Sequence, residues 1–217
     1  MNISTSISRA LIQGVTVSAV LCSSLAFAAG GPPRIGPGTM PLSPIEVADL
    51  KFMREEEKVA RDLYLALDAR WGSTPFGNIV SAEESHMSAI LQLLRQYRLS
   101  DPTAGNLVGE FSDPELQALH DALLLRGELS ELDAIRVGGF VEEADILDVQ
   151  AAMERSSRAD IDQTYARLAC GSRNHLRAFA AADTALSGTP YVAQVMEQKA
   201  VEVILTSPQE QCGGPRR

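Results

Sequence analysis

The stretch EEEKVARDLY at residues 55–64, followed by EESH at residues 83–86, decides how this chain folds. Around the first, Leu50, Met53, Val59, Ala60, Leu63, Tyr64 and Leu67 recur at helical spacing, so the segment is an amphipathic helix. Glu57, Ala60 and Tyr64 stand at i, i+3 and i+7 on the face of Leu50, Met53 and Leu67, which turns Glu57 toward a core. A buried carboxylate needs a cation or a proton beside it. In the second stretch, Glu83 and His86 are i, i+3 neighbours on the face of Ile79, Ile90 and Leu94. Two helices therefore each aim ligand-type side chains at an apolar interior.

Working outward, the first helix runs from about Ser43 to Arg70. It opens on Ser43-Pro44-Ile45-Glu46, a capping box with proline at the first helical position, and Trp71-Gly72 ends it. Ser73-Thr74-Pro75 starts a second helix that reaches about Arg98. A long connection, Leu99 to Leu129, contains a short helix opened by the capping box Ser112-Asp113-Pro114-Glu115 and stopped by Arg126-Gly127. A third long helix spans about Ser130 to Glu154 and a fourth about Arg158 to Asp183. Thr189-Pro190 starts a last amphipathic helix carrying Val192, Val195, Met196, Val203 and Ile204. The chain is thus all-α: four long helices in two closely linked pairs, with one long crossover between the second and third, plus a C-terminal amphipathic helix. That connectivity is the one found in ferritin-like four-helix bundles.

The other two long helices carry polar residues in matching places. In the third, Glu142 and Asp145 are i, i+3 and continue the core-like row of Ile135, Gly138 and Val141. Glu143 and Asp148 are assigned to the solvent face. In the fourth, His175 lines up with Leu168, Ser172 and Phe179. Taken singly, each residue has a plainer reading: Glu57 at the margin of a solvated charge run, Glu83–His86 as a surface pair, His175 as a satisfied core histidine, and Tyr64 as a core tyrosine. His120, on the short crossover helix, keeps its plain structural reading. Taken together, the order Glu, Glu-x-x-His, Glu-x-x-Asp, His at mid-length resembles the inward carboxylates and imidazoles of di-metal bundles. At ~1.5 Å per residue, Glu57 and His86 fall within about 3 Å of the same level, whereas Glu142 and His175 differ by roughly 7 Å.

The 217 residues are 45% hydrophobic, 22% charged and 5% aromatic, with a net charge of −9. The acidity argues against a nucleic-acid partner, because a polyanion is bound by a basic surface. The first 28 residues read as a secretory signal peptide: Arg9, an apolar run from Gly14 to Leu21 and the small-residue site Ala26-Phe27-Ala28 before Ala29. A periplasmic or secreted protein follows, not embedded in the membrane once cleaved. Residues 29–44 are a Pro/Gly-rich linker, 45–183 the bundle, and 184–217 the C-terminal helix and tail. Cleavage removes Cys22. An oxidising compartment then favours a disulfide between Cys170 and Cys212 over two separate thiols.

Glu57-x-x-Ala60-x-x-x-Tyr64 followed by Glu83-x-x-His86 resembles the first half of a rubrerythrin or ferritin site. The wider pattern is closer to a ferritin-like bacterial and archaeal family catalogued as domain of unknown function 2202. The similarity spans about Leu50 to Ala182. It is carried by EEEKVARDLY, Phe76-Gly77-Asn78-Ile79, Glu83-Glu84-Ser85-His86-Met87, Val137-Gly138 with Glu142-Glu143, and Gly171-Ser172-Arg173-Asn174-His175-Leu176-Arg177-Ala178-Phe179. The resemblance implies a ferritin-like fold and a di-metal centre.

One departure stands out. Ferritins repeat Glu-x-x-His on the fourth helix, and here the glutamate position is Ser172, with Asp145 or Glu143 as candidate replacement. The expected ligands are Glu57, Glu83, His86, Glu142, Asp145 and His175, holding two iron or manganese ions, with Tyr64 as a hydrogen-bond or electron donor. The expected partners are metal ions and a small oxidant, with homodimerisation left open. Three functions fit: an oxidoreductase of ferroxidase or peroxidase type, a non-catalytic metal-binding or storage bundle, and an interaction protein with a degenerate centre.

Overall fold

The structure, a computed structural model, describes residues 41–213. The expected signal peptide, residues 1–28, and residues 29–40 of the expected linker lie outside the described residues. Within them the chain forms six α-helices and no strand: α1 Pro44–Trp71, α2 Phe76–Gln96, α3 Pro114–Gly127, α4 Glu131–Arg155, α5 Ala159–Ser187 and α6 Gln198–Thr206. None of them is long and apolar enough to cross a membrane. The Ser43–Glu46 capping box is formed in both directions, and Gly72 ends α1 in the left-handed region at φ 61°, where a glycine carries no Cβ penalty.

The helices make a bundle. α1 packs on α2 and α4, α5 packs on α4 and α2, α3 lies against α1 and α4, and α6 rests on α5. One end of the interior is apolar: Leu50, Met53, Ile90, Leu94, Val149, Ala152, Ile161, Tyr165 and Leu168 form one cluster. Toward the other end the rings of Tyr64, Phe76 and Phe179 meet at centroid distances of 5.2–5.8 Å. Between these two layers each long helix places its polar residues: 57 on α1, 83 and 86 on α2, 142 and 145 on α4, 172 and 175 on α5.

The charge run on α1 is divided by face. Its outward members fasten the crossover. Lys58 Nζ donates to Asp62 at 2.5 Å and to the carbonyls of Leu107 at 2.7 Å and Glu110 at 3.0 Å. Arg54 pairs bidentately with Asp101 at 3.1 and 3.2 Å. All of these α1 residues are buried, because the connection lies over them.

Three expectations are corrected. The last helix begins at Gln198, not at Pro190. Residues 189–197 form instead a strap whose backbone N–H groups of Gln194, Val195 and Met196 point at the Glu143 carboxylate, at 2.9, 2.7 and 2.8 Å. Tyr191 adds its hydroxyl at 2.7 Å. Those donors are satisfied by a side chain, so no helical turn is needed there. Glu143 is accordingly buried and not on the solvent face, and Asp148 is buried too, against Glu56. The fourth long helix continues one turn past Asp183, to Ser187.

Candidate metal centre

At the bundle's middle, Glu83 stands between two imidazoles. Its Oε2 is 2.9 Å from His86 Nδ1 and its Oε1 is 2.9 Å from His175 Nδ1. Each ring has a second carboxylate: Glu57 Oε2 at 3.2 Å from His86 Nδ1 and Glu142 Oε2 at 3.4 Å from His175 Nδ1. Two three-residue groups result, Glu57–Glu83–His86 and Glu83–Glu142–His175, with Glu83 common to both. In each group the potential ligand atoms lie within 4.8 Å of one another. The ring centroids are 5.6 Å apart.

The roughly 7 Å mismatch between Glu142 and His175 closes because side chains on a helix lean toward its N-terminus. α4 and α5 run antiparallel from a short link. Glu142 therefore leans away from that link and His175 leans toward it, and the two tips converge.

Tyr64 donates its hydroxyl to Glu142 Oε1 at 2.6 Å, which leaves Oε2 toward His175. Asp145 is on the same face but belongs to neither three-residue group; its Oδ2 is hydrogen-bonded to the Ser172 hydroxyl. The serine that departs from the Glu-x-x-His pattern thus holds a carboxylate supplied by α4. Cys170 and Cys212 are joined by a disulfide, and the tail it anchors is also held by Arg173 on Glu210 at 2.8 Å. His120 lies away from the cluster, against Asp121 at 3.0 Å and the Phe111 ring.

Glu56, within the charge run of α1, also faces inward. It is buried beside Asp148 and shares a hydrogen bond with it. Asp145 and Asp148 continue the i, i+3 row begun by Glu142, and that row is the signal that a partner from α1 should face it.

The electrostatics follow from packing acids and imidazoles into a dry interior. Burial pushes Glu57 well above the usual carboxylate range, with His86 opposing and Asp145 and Glu83 adding. Burial also acts to raise Glu83, but the two flanking imidazoles outweigh it and hold its carboxyl far down. Burial disfavours charge on the rings. The carboxylates prevail, raising His86 well above its ordinary value and His175 to about 10. Burial and then the neighbouring Glu142 lift Asp145 to about 7. Without a cation this cluster holds protons.

The donor set fits a divalent metal. Glu57 Oε1 and Asp145 Oδ1 are buried without a hydrogen-bond partner, beside the Glu83 Oε1–His175 Nδ1 ion pair. Unsatisfied polar atoms are rare in native interiors, and these gather in one place. Carboxylate oxygens with neutral imidazole nitrogens suit iron, manganese or zinc better than copper(I).

The chain's relatives are similar over the whole of this region. The profile of a family described as "Uncharacterized protein domain (DUF2202)" matches residues 46–208. An uncharacterized protein of Methanocaldococcus jannaschii, MJ0754, is 38% identical over 170 residues, 78% of this chain and 91% of that protein. The crystal structure of the hypothetical protein MJ0754 superposes with a TM-score of 0.76 at 36% identity, covering 83% of this chain and 100% of that one.

Proposed function

The chain belongs to the DUF2202 family, and from that premise we propose that it is an exported, ferritin-like four-helix protein whose bundle holds two iron or manganese ions for redox chemistry on O₂, peroxide or iron(II). The observation that carries this reading is the position of Glu83, with each carboxylate oxygen 2.9 Å from a different imidazole and a further carboxylate flanking each ring. Glu57, Glu83 and His86 would hold one ion, and Glu83, Glu142 and His175 the other. Asp145, kept by Ser172, stands beside them in place of the glutamate the fourth helix lacks. Iron or manganese bound there supplies one-electron chemistry toward a small oxidant.

The chain's own residues set the conditions for that chemistry. Glu83 is common to both candidate groups, so it would hold the two ions close to one another. Tyr64 orients Glu142 through its hydroxyl, and its ring, with Phe76 and Phe179, keeps water from that side. Each imidazole would have to be free of its proton to hold a metal ion. The signal peptide and the 29–44 linker would deliver this bundle to the periplasm or the exterior.

A second reading, a metal-storage or structural bundle, is favoured by one observation: Ser172 removes the second Glu-x-x-His and with it the symmetry of a ferroxidase site. Metal content of the mature protein, purified without chelator, tests both. Roughly two redox-active ions per chain, reduced in Glu57→Ala and His86→Ala, support the first. Zinc in the same place supports the second, as does an iron(II) form that consumes neither O₂ nor peroxide. No bound metal, and no change in melting when iron(II) is added, overturns both.

A further inference from the structure

The middle of α5 carries a glycine that makes no turn. Gly171 is buried within the helix Ala159–Ser187. Glycine is among the poorest residues for a helix interior, and α5 uses alanine freely at Ala169, Ala178 and Ala180. The reason for its presence is space. A Cβ at Gly171 would stand 2.5 Å from His86 Nε2 and 2.7 Å from His86 Cε1, but 3.8 Å from His175 Cε1. The first two distances are collisions and the third is ordinary contact. Gly138 and Gly139 are crowded in the same way, but by Phe179 and Tyr191; the neighbour of Gly171 is a candidate ligand.

The backbone of α5 at this turn is therefore the surface on which the His86 ring lies. With Nε2 against Gly171, Nδ1 is turned to Glu57 and Glu83, at 3.2 and 2.9 Å. α5 is also fastened at this level. Cys170 is bonded to Cys212, Arg173 holds Glu210, and Asn174 donates to the Glu210 carbonyl at 3.0 Å. A larger side chain at 171 would meet a helix that cannot easily retreat, so the imidazole must move.

We propose that Gly171 positions His86, and that the missing side chain tunes chiefly one of the two ion positions, that of Glu57, Glu83 and His86. The inference rests on the two-ion reading above.

The test is manganese(II) titrated into the metal-free mature protein, with free manganese followed by electron paramagnetic resonance. Gly171→Ala keeps one ion near wild-type affinity and weakens the other at least tenfold, as His86→Ala does. A second measurement needs no metal. In the metal-free protein, Gly171→Ala lowers the melting temperature in the wild-type background. It raises it in the His86→Ala background, where the ring is gone and alanine is the better helix former. Two ions bound by Gly171→Ala with unchanged affinity overturn the proposal, as does an equal melting loss in both backgrounds. Failure of the two-ion reading shows differently: the wild type itself takes up no manganese, while the melting comparison still reports whether Gly171 and His86 meet.

Discussion

Tyr64 joins the aromatic layer to the polar one. Its ring lies among Phe76 and Phe179, and its hydroxyl reaches Glu142 at 2.6 Å. Tyr64→Phe keeps the ring and removes the donor. Groups that orient a metal ligand typically contribute 10–100-fold to metal affinity. The variant should fold, and it should bind the ion at Glu83, Glu142 and His175 about tenfold more weakly; an unchanged manganese isotherm would show that Glu142 needs no such support. Tyr64, Glu57, Glu83 and His86 were legible because helical spacing alone puts each on an apolar face. Glu142 and His175 were legible in identity but not in level, since residue counting ignores the lean of side chains toward a helix's N-terminus. Glu56, Asp148 and Glu143 were not: a charged residue next to a core row reads as solvated until the packing partner is known. For Glu56 and Asp148 the partner is the other carboxyl, and for Glu143 it is the backbone of a strap.

At the scale of the element, the first turn of α1 is a joint as well as a cap. Glu46 accepts from the Ser43 backbone at 2.7 Å and, across the bundle, from the backbone and hydroxyl of Ser157, both at 2.9 Å. Burial acts to raise its carboxyl, but the hydrogen bonds from Ser157 and Ser43 outweigh this and hold it at about 2, below the ordinary 4.5. A carboxylate depressed in the folded state contributes stability that is fully present above about pH 4.5. That stability is lost as pH falls toward 2, because the folded form must then take up the proton. A shift of that size corresponds to about 3 kcal/mol at most. Glu46→Gln should be less stable than wild type by about 2 kcal/mol at neutral pH, and the gap should close between pH 4.5 and 2. Denaturant unfolding across that range measures it, and a gap independent of pH would assign the loss to packing. The capping box was readable because it is local, four residues long. The link to Ser157 was not, since nothing near Glu46 announces a partner 111 residues away. The same limit explains α6: the apolar spacing after Pro190 suits a helix, but Glu143 captures the backbone N–H groups that a helix would have used.

For the whole molecule, the acidic surplus has two destinations. Part of it is exposed to solvent, but Glu56, Glu57, Glu83, Glu142, Asp145 and Asp148 are buried together, and their charge must be balanced inside. Without metal, protons do this. The carboxylates around them raise His86 and His175, His175 up to about 10, and burial raises Glu57 above the usual carboxylate range, so His86 and Glu57 hold their protons in common. An imidazole ligates only when neutral, so an ion entering between Glu83 and either ring must displace the proton on that ring. Uptake and proton release are therefore one event. Each displaced proton makes the affinity fall by about tenfold for every unit of acidification below the ring's value, a slope that runs through neutral pH because both rings are raised. Manganese(II) binding measured calorimetrically at pH 7 in two buffers of different ionisation heat should show at least one proton released per ion, and weaker binding at pH 6. It should also raise the melting temperature as free metal increases. Binding without proton release would place the ions on surface carboxylates, and the buried cluster would then be a self-neutralised network of acids and imidazoles with no cation to hold.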